Sequence, residues 1–147
     1  MEITERISAA GATSEDIQSF EARRKTSLPK DYKRFLAEWN GGRPRPRQFE
    51  GPNGERSVLH FFFTLDPAAE YYYIEEEIDT FKDRLPAGFL PIASDPFGNL
   101  VLLALTPGKF GEIHFWEHEA ETDEGKPLGE RIAFISSNFT DFVANLS

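Results

Sequence analysis

The sequence predicts one α+β domain, with a mainly antiparallel sheet of about five to six strands packed against N-terminal, middle and C-terminal helices. The chain has 147 residues and no cysteine. A domain of this length buries roughly 70% of its unfolded surface, so it needs no disulfide. The periodic segments follow the order α-α-β-α-β-β-β-β-α, and tight turns join the short strands. This order favours antiparallel pairing over alternating βαβ units.

Two helices are predicted near the N-terminus. The first begins at Thr13 or Ser14, which accept a backbone N–H at an N-cap, and ends near Lys25. The second begins at Pro29, which suits a first helical position, and Asn40-Gly41-Gly42 ends it. Its apolar stripe, at i, i+3, i+4 and i+7, consists of Tyr32, Phe35, Leu36 and Trp39.

The middle of the chain combines a loop, a strand and a third helix. Arg43 to Arg47 alternates arginine with proline, which predicts an extended loop because proline suits neither helix interiors nor central strands. Val58 to Phe63 is predicted as a strand, and Asp66 as the N-cap of a helix that closes at Pro86. The helical stripe consists of Ile74, Ile78, Phe81 and Leu85.

The rest of the chain is predicted to be mostly β-structure. Leu100 to Leu105 is apolar at every position, which indicates a central strand covered on both faces. Residues 119–130 are predicted as an acidic surface loop. The other predicted strands are Phe89 to Ala93, Glu112 to His118 and Ile132 to Ile135. A last helix follows Asn138, with Phe139, Phe142, Val143 and Leu146 as its stripe.

The net charge of −9 is concentrated in the second part of the chain. Residues 1–56 hold 11 Lys/Arg and 9 Asp/Glu, whereas residues 57–147 hold 5 and 16. An acidic surface repels phosphate, so nucleic acid and anionic membranes are poor candidate partners and a basic protein is a better one. The alternative is that the acidity only maintains solubility.

The N-terminus predicts no export. Residues 1–6 lack the basic start and apolar core of a secretory signal. The longest apolar run, Leu100 to Leu105, is too short to span a bilayer. We therefore expect a cytoplasmic protein, and we favour a monomer.

One segment has a specific pattern of turn-forming and apolar residues: Leu28-Pro29-x-Asp31-Tyr32-Lys33-x-Phe35-Leu36-x-x-x-Asn40-Gly41-Gly42. This segment resembles the signature of the SUKH superfamily, which is named in part for fungal regulators of cell-wall glucan synthesis. Weaker matches follow in family order: Leu90 to Asp95 with Gly98-Asn99, then Gly111 to Glu119, then Ile132 to Leu146. The resemblance covers residues 14–147, within one expected domain of residues 1–147. The Arg-Pro alternation from Arg43 to Gln48 departs from the family pattern.

The resemblance implies a function. Most bacterial members of the superfamily resemble immunity proteins that neutralise polymorphic or contact-dependent toxins, often nucleases, by direct binding. It implies no catalytic residues, and none are carried over. It therefore predicts a protein-binding immunity protein for a basic, nuclease-type toxin. The alternative is a regulatory scaffold of the same family that binds a host protein.

The residues themselves predict neither an enzyme nor a cofactor. There is no Gly-x-Ser-x-Gly elbow and no phosphate loop. His114 and His118 share strand parity about 13 Å apart, too far to share a zinc ion whose ligands lie about 2 Å from it, so no metal site is predicted. A small hydrolase with an unrecognised carboxylate pair is a remote alternative.

The candidate protein-binding residues are acidic or aromatic: Glu75, Glu76, Glu77, Asp79, Trp116, Glu117 and Glu119. The acidic run on the third helix is either a landing site for a basic toxin or an ordinary solvated helix face. Trp116 is either an exposed anchor or a tryptophan packed under a helix. At least one residue of Tyr71-Tyr72-Tyr73 is expected to be exposed. For Arg43, Arg45 and Arg47 there are two alternatives: they bind an acidic partner or RNA, or they belong to a solvated loop.

Overall fold

The structure, a computed structural model, describes residues 1–118 and 132–147. The helices are α1 (Ser14–Arg24), α2 (Lys30–Glu38), α3 (Ile74–Phe81) and α4 (Phe139–Ala144). The strands are β1 (Glu2–Glu5), β2 (Arg43–Arg45), β3 (Gln48–Glu50), β4 (Arg56–Val58), β5 (Phe61–Phe62), β6 (Phe89–Ser94), β7 (Leu100–Ala104), β8 (Ile113–Trp116) and β9 (Ile132–Ser136). The predicted α+β class is confirmed.

A five-stranded antiparallel sheet forms the centre of the molecule, in the order β5-β6-β7-β8-β9. Every residue of β7 and β8 is buried, as expected for central strands covered on both faces. Phe62, on the face that also carries Val101 and Phe115, lies 4.8 Å by ring centroids from Phe35 of α2. On the opposite face, Phe81 of α3 lies edge-on to Trp116 at 5.7 Å.

Besides the central sheet there are two small two-stranded sheets, β1-β2 and β3-β4, and their strands differ from the predicted ones. Arg43–Arg45, predicted as a loop, is β2 and pairs antiparallel with β1, with Ile3 opposite Pro44. Proline is tolerated there because it needs no donor at a sheet edge. The predicted strand from Val58 to Phe63 is divided: β4 pairs with β3, and β5 pairs with β6.

The third helix is shorter than predicted. It covers only Ile74–Phe81, with Tyr73 as its N-cap residue. Asp66 instead closes a local turn, in which its Oδ1 accepts the Ala68 N–H at 2.9 Å. The Thr64 N–H donates to the Tyr72 carbonyl and the Ile74 N–H donates to the Thr64 carbonyl. These bonds replace the helical ones, so residues 66–73 form a closed loop.

Residues of the motif between Leu28 and Gly42 make contacts that hold separate parts of the fold together. The Asn40 side chain is buried, and its Oδ1 accepts the Leu65 N–H at 2.9 Å. Gly41 has φ +92°, and a Cβ there would lie 2.8 Å from the Phe63 carbonyl oxygen. Asp31 Oδ2 accepts the Thr140 N–H at 3.0 Å, which joins α2 to the first turn of α4. These three residues of the motif therefore make tertiary contacts that position α2.

Candidate functional site

A pocket of about 360 Å³ lies between α3, the β6–β7 turn and the segment before β5. The rings of His60, Tyr72 and Phe81 line it, together with the carboxylates of Glu77 and Asp95. Each element delivers its residues for a local reason. Glu77 and Phe81 lie one helical turn apart and share a face of α3, and the Asp95 turn joins two strands of the central sheet.

Glu77 is the chemically unusual residue of this pocket. Its side chain is partly buried, yet it makes no hydrogen bond or ion pair with the described residues. Burial raises the pKa of the Glu77 carboxyl, and the neighbouring charge of Glu76 raises it further. A desolvated carboxylate without a partner is unfavourable, so this position holds a charge that the fold itself does not use.

Asp95 is a carboxylate of a different kind. It is buried, and its Oδ1 accepts the N–H groups of Phe97 at 2.8 Å and Asn99 at 2.9 Å. Its Oδ2 accepts the Asn99 side-chain amide at 2.8 Å. With both oxygens held by the turn, Asp95 supplies a fixed negative charge and shapes the pocket wall. Its geometry does not suit proton transfer.

The aromatic wall is neutral at physiological pH. Burial lowers the pKa of His60 from its usual 6.5, and the charges of Arg43 and Arg47 lower it further. Its ring lies edge-on to Tyr72 at 5.8 Å. Burial raises the pKa of Tyr72. Neither ring therefore carries a positive charge, and the cations that act on His60 are Arg43 and Arg47.

Two large aromatic residues that neighbour pocket-lining residues in the sequence are exposed to solvent. Tyr71 is 64% exposed and Phe97 is 75% exposed, so the expectation that one of the three consecutive tyrosines faces solvent is met. The turn that carries Phe97 is held in place, because His118 Nε2 lies 2.7 Å from the Phe97 carbonyl oxygen. Exposed aromatic residues on rigid elements are typical of protein interfaces.

The acidic residues predicted on α3 have different roles in the structure. Glu75 accepts hydrogen bonds from Arg23 Nε at 3.3 Å and Arg24 Nε at 2.9 Å, so it ties α3 to α1. Asp79 forms an exposed ion pair with Lys82 at 3.3 Å. Glu76 is exposed, and its side chain has no ion pair with the described residues. Glu76 and Glu77 are therefore the members of this run whose carboxylates are not paired with a described residue.

Of the two alternatives for Trp116, the structure bears out the tryptophan packed under a helix, so its place among the candidate protein-binding residues is corrected. The residue is 0% exposed, and it packs under Phe81 of α3 with the Arg84 guanidinium carbon 4.9 Å from its ring centroid. The cause is that β8 is covered on both faces. Glu117 follows β8 and is partly exposed, and it stays a prediction. Glu119 lies outside the described residues, as does the predicted loop 119–130.

The histidines occupy separate environments. His114 Nε2 lies 3.0 Å from Glu112 Oε1, and its ring packs edge-on against Phe89 and Phe134. His118 bonds the Phe97 carbonyl as described above. Across residues 1–118 and 132–147, no three His, Asp or Glu side chains are grouped to hold a metal ion. Nor does any helix in these ranges have the length and apolarity to cross a membrane.

A larger cavity of about 650 Å³ lies between the β3–β4 hairpin, β9 and α4. Arg56 lines this cavity, and its guanidinium donates to Ser147 Oγ at 2.7 Å and to Gln48 Oε1 at 3.4 Å. Ser147 also exchanges two backbone hydrogen bonds with Gln48. Because these polar groups attach the C-terminal residue to β3, we place the candidate site in the smaller pocket.

Sequence reasoning missed most of this pocket. His60, Tyr72 and Asp95 come from separate segments, so no spacing rule groups them. One signal was present: the turn Asp95-Pro96-Phe97-Gly98-Asn99 carries a phenylalanine among turn-forming residues. A large apolar residue in such a turn is a candidate for exposure, and therefore for contact with a partner.

The fold and the turn at Asn40-Gly41-Gly42 define an α+β domain of SUKH type. A profile of the SMI1 / KNR4 family (SUKH-1) matches residues 11–145, so the chain belongs to that family. The chain is also 27% identical over 152 residues to the SPbeta prophage-derived uncharacterized protein YokK of Bacillus subtilis (strain 168), covering 91% of this chain and 74% of that protein. Proteins of the family bind protein partners and are generally non-catalytic immunity or regulator proteins.

Proposed function

We propose that this protein is an immunity protein that binds a cognate bacterial toxin of basic, nuclease type and blocks it by steric occlusion. The family includes toxin-immunity proteins. The similarity to a prophage-derived protein is consistent with an accessory gene. The net charge of −9 favours encounter with a basic partner.

The observation that carries the proposal is a set of residues that line the pocket or adjoin its lining residues in sequence, which we call the acidic aromatic face: Tyr71, Tyr72, Glu76, Glu77 and Phe97. It combines two strongly exposed rings with two carboxylates that no described residue pairs. Aromatic side chains supply the apolar contact area of an interface, and unpaired charges supply orientation and association rate. An ordinary solvated helix face explains the carboxylates but not the exposed rings beside them.

The pairing and burial of each side chain shorten the list of candidate interface residues. Glu75 is removed from the direct interface because two arginines of α1 already hold it, and Trp116 is removed because it is buried. Glu76 is retained as a steering charge and Glu77 as a contact within the pocket. Asp79 is paired only at the exposed surface, where such a pair contributes little and exchanges readily.

The first experiment identifies the partner. The protein is purified from its native host, and the retained proteins are identified by mass spectrometry. A toxin encoded beside this gene supports the proposal, and protection of cells that express the toxin completes it. A host envelope or signalling protein in its place would instead support the regulatory alternative.

The second experiment tests the acidic aromatic face by charge reversal. Glu76→Lys should slow association with the partner by about threefold to tenfold at low ionic strength, and the effect should shrink as salt is added. Glu15→Lys in the first turn of α1 is the matched control, since it makes the same charge change at another exposed residue. Equal association rates for the two variants would remove this face from the interface.

A further inference from the structure

We propose that the pocket lined by His60, Tyr72, Glu77, Phe81 and Asp95 receives a single arginine side chain of the protein partner. This inference rests on the proposed function, because it names the chemical group with which the partner anchors itself at the acidic aromatic face. It adds a specific occupant and a specific orientation for Glu77. The remaining contacts of the face then surround this anchor.

Charge complementarity is the first argument. Two acidic residues line the pocket: Glu77, whose carboxylate lacks a partner among the described residues, and Asp95, whose carboxylate is held by its own turn. His60 is neutral near pH 7, because burial and two arginines lower its pKa. A cation that enters would pair the desolvated Glu77 carboxylate and remove the unfavourable free energy of its burial.

The aromatic walls are the second argument. A cation is attracted to the face of an aromatic ring within about 6 Å of its centroid, and the pocket presents the rings of Tyr72 and Phe81. The protein already uses this interaction beside the pocket. The Arg84 guanidinium carbon lies 5.5 Å from the Phe81 centroid, and that of Arg43 lies 4.8 Å from the Phe61 centroid.

Those two internal contacts favour arginine over lysine. Phe61 stacks on Tyr72 with centroids 4.5 Å apart, so Arg43 and the pocket occupant belong to one aromatic cluster. A planar guanidinium stacks on rings and pairs with a carboxylate at the same time, whereas an ammonium is a compact, strongly hydrated charge. A site with flat walls and one carboxylate therefore selects the guanidinium.

The size of the pocket is the third argument. Its volume of about 360 Å³ is near the lower end of ligand pockets, which span about 300–1,000 Å³. This volume accommodates one long side chain but not a folded segment of peptide. An anchor of this kind agrees with the enrichment of arginine at the energetic centres of interfaces.

The pocket is first tested without the partner. The probe is N-acetyl-L-arginine amide, titrated into the full-length protein and followed by amide chemical shifts in NMR spectra. The probes N-acetyl-L-lysine amide and N-acetyl-L-citrulline amide serve as controls for geometry and charge. We expect saturable shifts at Tyr72, Glu77 and Gly98 with a dissociation constant on the order of a few millimolar, weaker binding of lysine and none of citrulline.

Two variants locate the binding. Glu77→Gln should weaken binding of the arginine probe about tenfold, while Glu76→Gln, its exposed neighbour, should change it less than about twofold. The absence of shifts in the wild-type protein would overturn the pocket assignment. Equal affinity for lysine and arginine would overturn the assignment of a guanidinium, and equal binding to both variants would overturn the role of Glu77.

The last measurement separates this inference from the proposed function. Glu77→Gln should also lower affinity for the intact partner, by about tenfold. If the partner binds the variant and the wild type equally well, the anchor is wrong but the immunity function stands. If no toxin is bound at all, the immunity function fails, while the arginine titration still reports on the pocket.

Discussion

The helices α2 and α3 carry similar apolar stripes, but they differ in how many of their polar side chains are paired within the protein. At α2 two polar side chains of the family motif are hydrogen-bonded within the protein: Asp31 accepts from Thr140, and Asn40 accepts the Leu65 N–H. The Tyr32 hydroxyl is buried without a hydrogen-bond partner among the described residues. At α3, Glu75 is likewise paired, whereas Glu76 and Glu77 are not paired with any described residue. The difference teaches that two polar groups of the α2 motif serve the fold, whereas two carboxylates of α3 do not, which is why we propose α3 as part of the partner's binding site.

The largest expected effect tests the structural role of the α2 motif. Gly41→Ala should destabilise the protein by at least about 2 kcal/mol, because φ is +92° and the added Cβ would lie 2.8 Å from the Phe63 carbonyl oxygen. Urea denaturation measures this change.

Gly108→Ala is the control for backbone strain. Its φ of +86° is similar, but nothing lies within 4 Å of the added Cβ. A similar loss of stability in both variants would show that the close approach at Gly41 has no role of its own.

The next prediction concerns the buried amide that ends α2. Asn40→Ala leaves the buried Leu65 N–H without its acceptor and places alanine at φ +52°. We expect a loss of about 1–3 kcal/mol in the free energy of unfolding. Binding of the folded variant to the partner should be unchanged. Reduced affinity of the folded variant would extend the interface to this motif and break the comparison.

The third prediction concerns the exposed ring beside the pocket. Phe97 is 75% exposed, so Phe97→Ser should change stability by less than about 0.5 kcal/mol. If Phe97 is an interface anchor, affinity for the partner should fall about fivefold or more. Isothermal titration with the partner and thermal unfolding together measure both effects. Unchanged affinity would show that this turn lies outside the interface.

The smallest effect concerns the pH dependence that Glu77 imposes. Because burial raises the folded pKa of Glu77 above its usual 4.5, the folded state holds the proton more tightly than the unfolded state does. The contribution of Glu77 to stability is therefore greatest below pH 4.5 and falls as pH rises from 4.5 through the folded pKa. Glu77→Gln should be slightly more stable than the wild type at pH 7 and similar at pH 4.

Urea midpoints at the two pH values measure this effect, with Glu15→Gln as the control at an exposed site. A less stable Glu77→Gln variant at pH 7 would mean that the carboxylate is used within the fold. That outcome would remove the contrast between α2 and α3.

The sequence predicted the elements whose signal is local. The stripe of α2, the start of α1 at Thr13 or Ser14 (Thr13 is the N-cap) and the all-apolar run of β7 were predicted because periodicity and capping operate over a few residues. The helix predicted from Asp66 was wrong in its first part, because hydrogen bonds between Thr64, Tyr72 and Ile74 close a loop there. Arg43–Arg45 was misassigned because its pairing partner, β1, lies about 40 residues earlier in the chain.

By itself, the sequence determined the fold class, the family and the acidic character of the surface. Only the tertiary structure decided which of the neighbouring acidic residues of α3 are paired and which line a pocket. Glu75 lies against Arg24, 51 positions away in the chain, while Glu77 faces a pocket completed by His60 and Asp95. The physical reason is that a side chain's charge and burial depend on groups brought together by folding, and no pattern within one helix specifies those groups.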